Sequence, residues 1–314
     1  MSKHFQLGKY LALAIMVFLV FTWGSSFILM KKSLEYFPSD VVAAWRMFSA
    51  FVVLFIPAII YLFRLKLKTI LLLTLSGIIG NAVPAFLFAQ AQTGIESYVA
   101  GILNSTTALF TLIVGLVFFG YKAKWLSVGG VITGIAGVVG LLAVAGGKPI
   151  NFNLNFGSYI IVATIMYAIN INLIKRWLND IPTLPMVSIA FFIPGLFAIF
   201  YLTSQTEMVS QILYHPELRP GLLYMSILGL FGSAIALLLY YHLIKMSDIL
   251  FAASVTYLMP VVSTLWGLGD GETLGLIHIA FIIIILAGVF MVNYHDLMGK
   301  IKNRHGKNPT GLVR

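Results

Sequence analysis

The 314-residue sequence contains no cysteine, and only 10% of its residues are charged. Without cysteine the chain forms no disulfide and offers no thiolate ligand to a metal ion. Soluble globular domains carry roughly 25% charged residues, so the shortage of charge excludes an ordinary soluble domain. A P-loop, a His-Glu-x-x-His pair and a Gly-x-Ser-x-Gly motif are also missing from the sequence. We therefore predict a protein that is not an enzyme and uses no cofactor.

The sequence is rich in hydrophobic residues, which make up 60% of the chain. Crossing about 30 Å of hydrocarbon takes roughly 20 apolar residues in a helix. Runs such as FIIIILAGVFMV are apolar on every side, unlike the alternating strands of a membrane barrel. We predict an all-α polytopic membrane protein with ten transmembrane helices, at 10–30, 41–63, 69–90, 97–119, 125–145, 157–174, 185–203, 221–244, 249–268 and 274–294.

Basic residues are distributed unevenly among the predicted connections. If the N-terminus lies inside, 15 of the 20 Lys and Arg residues fall on the cytoplasmic side and four on the opposite side, while Arg46 lies within the second helix. Membrane proteins carry an excess of Lys and Arg in their cytoplasmic loops, so both termini are predicted to be cytoplasmic. Orientation explains most of the net charge of +10, and no nucleic-acid partner is expected.

The stretch GIIGNAVPAF, from residue 77, returns in modified form as GLFGSAIALL, from residue 229. The offset between these stretches is 152 residues, whereas earlier in the chain it is 144. The earlier offset pairs Trp23 with Tyr167 and Ser26 with Asn170. Self-similarity of this length indicates an internal repeat.

We predict two five-helix repeats, residues 1–147 and residues 148–314, the second with a basic cytoplasmic tail. Because each repeat has an odd number of helices, the second is inverted relative to the first. Inverted repeats with Gly and Pro at matching positions are typical of secondary transporters that work by alternating access. Close helix packing is the alternative interpretation of the paired glycines, and it is the one we adopt for the run GGVITGIAGVVG in the fifth helix.

Two longer stretches carry a family resemblance. TWGSSFILMKKSLEYFPSDVVAAWR, from residue 22, and YLMPVVSTLWGLGDGETLGLIHIAFIIIILAGVFMV, from residue 257, resemble the EamA family of the drug/metabolite transporter superfamily. The resemblance covers residues 10–296 and implies ten helices, with helices 1, 3, 4, 6, 8 and 9 lining a central cavity and helices 2, 5, 7 and 10 outside. Thr106 and Thr107 stand where the family often places a proline in the fourth helix.

Polar and aromatic side chains on the implied lining helices are the candidate binding residues, because polar groups are costly inside a membrane and tend to mark pathways. Amides beside aromatic rings suit a solute with an apolar body and a small polar or zwitterionic head. Helical serine and threonine hydroxyls have a competing structural role, since they often bond the preceding turn. The predicted substrate-binding residues are Trp23, Ser26, Asn81, Gln90, Asn104, Thr107, Tyr167, Asn170 and Tyr257. Trp23 and Tyr167, as repeat equivalents, are expected to face one cavity.

Most charged residues of the predicted helices fall near helix ends. Glu96 begins the fourth helix, where a carboxylate stabilises the helix N-terminus. Asp270 and Glu272 are expected to shape the turn between the ninth and tenth helices, and Lys31 and its neighbour Lys32 to reach the membrane surface. No metal site and no catalytic residue is predicted.

Together these features predict a secondary transporter that exports a small neutral or zwitterionic solute, such as an amino acid, across a bacterial inner membrane. The expected partners are the solute and the lipid bilayer. Protons are a candidate coupling ion. Histidine is the side chain whose ordinary pKa lies near neutrality, which makes His242 the candidate on a lining helix, although an interfacial position close to Lys245 is the favoured interpretation of this residue. The alternatives are a non-transporting membrane protein, either a scaffold or an intramembrane enzyme, and a passive uniporter or channel. No oligomeric state is predicted.

Overall fold

A computed structural model describes residues 3–120, 124–144, 154–246 and 249–305. Within these ranges only the backbone is described for residues 3–9, 144, 154–155, 209, 245–246, 249–254, 257 and 293–305. The described residues form helices and no strand. Helices are expected in lipid, where backbone N–H and C=O groups find no partner outside the chain. The all-α class is confirmed.

We number the long helices α1 to α10 in chain order. The first repeat contains α1 (Lys3–Leu34), α2 (Ser39–Leu62), α3 (Leu67–Gly77, Ile78–Ala82 and Val83–Ala91), α4 (Ser97–Asn104 and Thr107–Phe118) and α5 (Trp125–Val144). The second contains α6 (Leu154–Leu173 and Ile174–Leu178), α7 (Thr183–Ser204), α8 (Arg219–Gly229, Leu230–Ile235 and Ala236–Met246), α9 (Ile249–Gly269) and α10 (Leu276–His305). A short helix, Met208–Tyr214, and a 3-10 turn, Pro216–Leu218, connect α7 to α8.

Eight of the described helices, α1 to α8, are long and apolar enough to cross a membrane. The described apolar stretches of α9 and α10 are shorter, at Leu258–Gly269 and Leu276–Val292, so ten crossings remain a prediction. The outer helix faces are apolar, as on α1, where Leu13, Val17 and Phe21 follow each other at intervals of four residues and are exposed. Such continuous apolar surface is typical of a face that contacts lipid.

Three pairs of equivalent helices in the two repeats begin at the same offsets, 144 and 152 residues, that relate the two halves of the sequence. Helices α2 and α7 begin 144 residues apart, each after a proline in an extended conformation, Pro38 and Pro182. Helices α3 and α8 begin 152 residues apart, as do α4 and α9. The offset increases from 144 to 152 residues after α2 and α7, because the connection from α7 to α8 is longer than the connection from α2 to α3.

The helix contacts are reciprocal between the two repeats. Helix α1 packs against α8 and α9, and its equivalent α6 packs against α3 and α4. Helix α2 contacts α7, and α5 contacts α10, so each of these packs against its own equivalent. A Cβ atom added at Gly130 of α5 would lie 2.7 Å from the carbonyl oxygen of Gly288 of α10. The glycine run of α5 therefore has the packing role that was predicted for it.

Helix α4 is interrupted without a proline. The hydroxyls of Ser105, Thr106 and Thr107 each donate to the carbonyl oxygen three residues earlier, at 2.6, 2.6 and 2.8 Å. Such bonds compete with the regular helical ladder, and three in succession separate the two segments of α4. In the second repeat Pro260 lies inside α9, which is continuous. The interruption of α4 therefore has no counterpart in the described backbone of α9.

Candidate functional site

The repeated glycine motif forms a π-helical turn in each repeat. The turns span Ile78–Ala82 in α3 and Leu230–Ile235 in α8. A π turn inserts an extra residue into the helical ladder and is frequent at functional sites. The two turns are the central feature of the candidate site because they occupy equivalent positions and contact the opposite repeat.

Each π turn contains a glycine that accommodates a polar side chain of the other repeat. A Cβ atom at Gly80 would collide with the amide nitrogen of Asn170 on α6. A Cβ atom at Gly232 would lie 2.8 Å from the hydroxyl oxygen of Ser26 on α1. Ser26 and Asn170 are themselves repeat equivalents. The two repeats are therefore joined by a pair of reciprocal contacts that only glycine permits without movement of the neighbour.

A small cavity of about 40 Å³ lies beside the π turn of α3. Among its polar residues, the Ser76 hydroxyl donates to Oδ1 of Asn170 at 2.6 Å. Binding pockets for small molecules are about 300–1,000 Å³, so the cavity is too small for such a molecule in the described conformation. The lining residues are Ser76, Gly80, Asn81, Asn170, Met186, Val187, Ala190, Phe191, Leu237 and Tyr241.

Helix α7 lines this cavity, although the family resemblance implied that it lies outside. It contributes Met186, Val187, Ala190 and Phe191. The reason is the close approach of α3, since a Cβ atom at Gly77 would collide with the backbone carbonyl group of Ala190. This crossing brings one face of α7 to the cavity. Neither Ser76 nor any α7 residue was among the predicted binding residues.

Three predicted binding residues, Asn81, Tyr167 and Asn170, lie where α3 packs against α6. Asn81 and Asn170 both line the cavity. Tyr167 lies one turn before Asn170 and therefore on nearly the same face of α6. Its ring stacks on Phe88 of α3, with the ring centres 6.0 Å apart and the planes inclined by 23°. This group places an aromatic platform next to two amides.

Trp23 and Ser26 lie at the other π turn. The indole nitrogen of Trp23 donates to the carbonyl oxygen of Gly232 at 3.0 Å, and its ring centre is 5.1 Å from that of Tyr240. The Ser26 hydroxyl donates back to Thr22. Trp23 and Tyr167 belong to different apolar clusters, and neither lines the cavity beside the π turn of α3, so their position at one shared cavity stays a prediction.

The remaining predicted residues lie away from the cavity or outside the described side chains. Gln90 accepts a hydrogen bond from Ser39 at 2.7 Å, where α3 ends and α2 begins. The Thr107 hydroxyl donates to the backbone carbonyl oxygen of Asn104 across the interruption of α4. The side chain of Tyr257 is outside the described residues. Binding of solute by any of the nine residues stays a prediction.

An ionic cluster joins α1 to the turn between α9 and α10. Lys31 bonds to Asp270 and Glu272, both at 2.8 Å, and Lys32 bonds to Asp270 at 2.7 Å. We call these four residues the ionic latch. Burial of Asp270 opposes ionisation, but the hydrogen bonds from the two lysines outweigh it and lower the pKa of this carboxyl group below its ordinary value. The lysines therefore hold two helices together instead of only extending to the membrane surface.

The fourth helix is capped by the ionic latch. The Glu272 carboxylate accepts hydrogen bonds from the backbone N–H groups of Ser97, at 2.8 Å, and Tyr98, at 3.2 Å. Glu96 makes no capping hydrogen bond, and its Oε2 is buried without a described partner, so its predicted capping role is wrong. Glu272 reaches α4 because Gly271, with φ +83°, turns the chain in a conformation that favours glycine.

Arg46 is a further polar residue of the interior that was not among the predicted binding residues. It lies on α2, two turns from the start of that helix, and is half-buried. Its Nε donates to the hydroxyl of Ser233, in the π turn of α8, at 2.8 Å. The sequence signal was present, because a charge in the middle of an apolar run marks a functional position by default.

Sequence comparison matches both repeats to one family. The profile described as "EamA-like transporter family" matches residues 10–143 and again residues 157–294. The inner membrane transporter YedA of Escherichia coli K12, described as uncharacterized, is 28% identical over 273 residues, which cover 86% of each chain. The Bacillus subtilis transporter YvbV, also described as uncharacterized, is 25% identical over 296 residues, covering 92% of this chain and 93% of YvbV.

Two further similarities concern a functionally described relative and a solved fold. A probable amino-acid metabolite efflux pump of Escherichia coli K12 is 31% identical over 130 residues, which cover 41% of this chain and 42% of the pump. A crystal structure that is 16% identical covers 95% of this chain and 99% of its own, with a TM-score of 0.58. At this identity the structural likeness concerns the fold alone.

Proposed function

Because the chain belongs to the EamA-like transporter family, we propose that it is a secondary transporter that exports a small neutral or zwitterionic metabolite, such as an amino acid, by alternating access. The relative described as an inner membrane transporter supports a multi-pass location in a bacterial inner membrane. The relative described as a probable amino-acid metabolite efflux pump supports the solute class and the direction. Both termini are proposed to be cytoplasmic, from the distribution of Lys and Arg.

The observation that carries the proposal is the reciprocal contact of the two π turns. Secondary transporters place interrupted helices at equivalent positions of two inverted repeats, next to the substrate site. In this protein the interruptions meet the opposite repeat through Gly80 and Asn170, and through Gly232 and Ser26. Exchange of the two contact geometries would open the cavity alternately to each side of the membrane.

The ionic latch supplies one of the two gates in this proposal. With the N-terminus inside, the end of α1 that carries Lys31 faces outward. The latch then closes the outer ends of α1, α4 and α9 against one another. On this proposal the described conformation is the outward-closed state, and the bonds to Asp270 and Glu272 break and reform in each transport cycle.

Flux measured in proteoliposomes tests the proposal. The purified protein is reconstituted and loaded with a panel of labelled amino acids, and release is followed with and without a pH gradient. A transporter gives saturable, solute-specific release, which a pH gradient alters if protons are coupled. The Gly80→Leu variant is the matched control, because a side chain there displaces Asn170 and should abolish flux. Non-saturable release would indicate a channel, and no release of any amino acid would contradict the proposed solute class.

A further inference from the structure

Arg46 is a charged residue inside a span that is otherwise apolar. It lies within the Ser39–Leu62 span. Charged side chains within membrane helices are costly, face the interior, and either pair with an opposite charge or mark a pathway. The partners of Arg46 therefore decide whether the charge is structural or functional.

The guanidinium group of Arg46 has no acidic partner among the described residues. Its one hydrogen bond to a described residue is from Nε to the Ser233 hydroxyl, at 2.8 Å. The described ion pairs involve Lys31, Lys32 and His215, and none includes Arg46. A guanidinium has five N–H donors in a planar fork that matches a carboxylate. The terminal amino groups of this fork donate to no described residue.

Helix packing does not explain the charge, because the other repeat packs in the same way without it. With the offset of 144 residues, the repeat equivalent of Arg46 is Ala190. A Cβ atom at Gly229 would lie 2.7 Å from the carbonyl oxygen of Arg46, and one at Gly77 would collide with that of Ala190. Both crossings are close enough that an added Cβ atom would come within 3 Å of the opposite backbone. A cavity lies beside Ala190, whereas the first repeat places a cation at the equivalent position.

The surroundings of Arg46 suit a solute with a carboxylate and an apolar body. The phenol of Tyr167 lies close enough to the guanidinium for the two groups to interact electrostatically. The Tyr167 ring stacks on Phe88 and offers a flat apolar surface. One turn further along α6, Asn170 lines the cavity and supplies an amide for a second polar group. A cation, an aromatic surface and an amide are therefore all present where the two repeats meet.

We propose that Arg46 binds the carboxylate of the transported solute, with Ser233 holding the guanidinium in position. This inference rests on the proposed transport function and specifies its solute class. The solute carries a carboxylate, as an amino acid does, and the corresponding carboxamide is a poor substrate. Arg46 discriminates between them because charge-assisted hydrogen bonds to a carboxylate are about twice as strong as neutral ones.

Matched pairs of acid and amide test this inference in proteoliposomes. L-leucine, L-phenylalanine and L-threonine are each compared with their own carboxamide as competitors of a transported amino acid. The concentration of the amide that inhibits transport by half should exceed that of the acid by about tenfold or more. Arg46→Gln should raise the value for the acid by about tenfold to hundredfold and remove the difference between acid and amide. Ser233→Ala should produce a smaller rise.

Arg219→Gln is the control, since it makes the same chemical change at an exposed position at the start of α8. Its half-saturation values should equal those of the wild type. Equal competition by acid and amide in the wild type, or unchanged values in Arg46→Gln, would overturn the inference while leaving transport intact. Absence of flux for every compound would instead contradict the proposed export of amino acids. If Arg46→Gln does not fold, the wild-type comparison of acid with amide decides alone.

Discussion

Replacement of Glu272 by glutamine should open the outer gate. The Glu272 side chain is only 3% exposed and takes part in three interactions at once. It pairs with Lys31 at 2.8 Å and accepts hydrogen bonds from the backbone of Ser97 and Tyr98. Glutamine has nearly the same shape but no charge, and only one of its two terminal atoms accepts. The change therefore removes the ion pair and one capping bond without leaving a cavity.

The expected loss of stability of the closed state follows from the replacement of charged hydrogen bonds by neutral ones. A hydrogen bond to a charged group is worth about 1.5–3 kcal/mol, against about 0.5–1.5 kcal/mol for a neutral one. Lys31 keeps its bond to Asp270, so the loss is partial. We expect the closed state to lose about 1–3 kcal/mol relative to the open state, which shifts the equilibrium by about fivefold to hundredfold.

Because the sequence contains no cysteine, a single introduced cysteine can be labelled specifically to measure opening of the gate. Ser263 of α9 is buried, at 1% exposure, and a Cβ atom at Gly101 of α4 would collide with its hydroxyl. It therefore lies in the contact between α4 and α9, one helical turn beyond the residues capped by Glu272. A single Ser263→Cys substitution should react slowly with a membrane-impermeant maleimide added from the outside. Adding Glu272→Gln should accelerate the reaction by the factor given above.

Glu35→Gln is the matched control for the same assay. Among the described residues Glu35 pairs only with Lys32, through an i,i+3 contact, and it is 48% exposed. Exposed pairs of this kind contribute little, so the labelling rate should change by less than about twofold. If Glu272→Gln is folded and labels no faster than the wild type, the ionic latch does not hold the outer gate closed.

Three further predictions use simple substitutions and tags. Reporters fused to both termini should indicate the cytoplasm, and a probe in the loop 146–156 the outside; termini on opposite faces would contradict the inverted repeats. Gly77→Ala should reduce the amount of folded protein recovered in detergent, because its Cβ meets the backbone of Ala190, which cannot rotate away. Gly232→Leu should leave folded protein but slow the release of amino acid, since the new side chain displaces Ser26, and normal flux would make that glycine incidental.

The amino-acid sequence determined the helices and the repeat. Long apolar runs specify helices in lipid wherever they occur, because no other structure satisfies their backbone groups. The prolines Pro38 and Pro182 set the starts of α2 and α7 locally, through their fixed backbone angle. The two glycine motifs were visible as a repeat, and both became π turns. Each of these features depends on neighbours within a few residues along the chain.

The partners of the polar side chains were decided by the tertiary structure. Glu96 and Glu272 both stand near the start of α4 in space, but the one that caps the helix is 175 residues distant in sequence from Ser97. Asn81 and Asn170 were predicted to contact the same solute, and the crossing of α3, α6 and α7 puts both on one cavity. The same crossing brings in α7, which no local pattern distinguishes from an outer helix.

Arg46 illustrates why composition alone does not define the site. Its charge is evident in the sequence, but the meaning of that charge depends on what surrounds the guanidinium. The close approach permitted by Gly229 brings Ser233 to Arg46, while no described carboxylate pairs with it. Equivalent residues of the two repeats, Arg46 and Ala190, thus differ in charge although both lie at close helix crossings. Backbone packing follows from small residues that the sequence displays, whereas electrostatic pairing depends on distances between helices that only the assembled bundle sets.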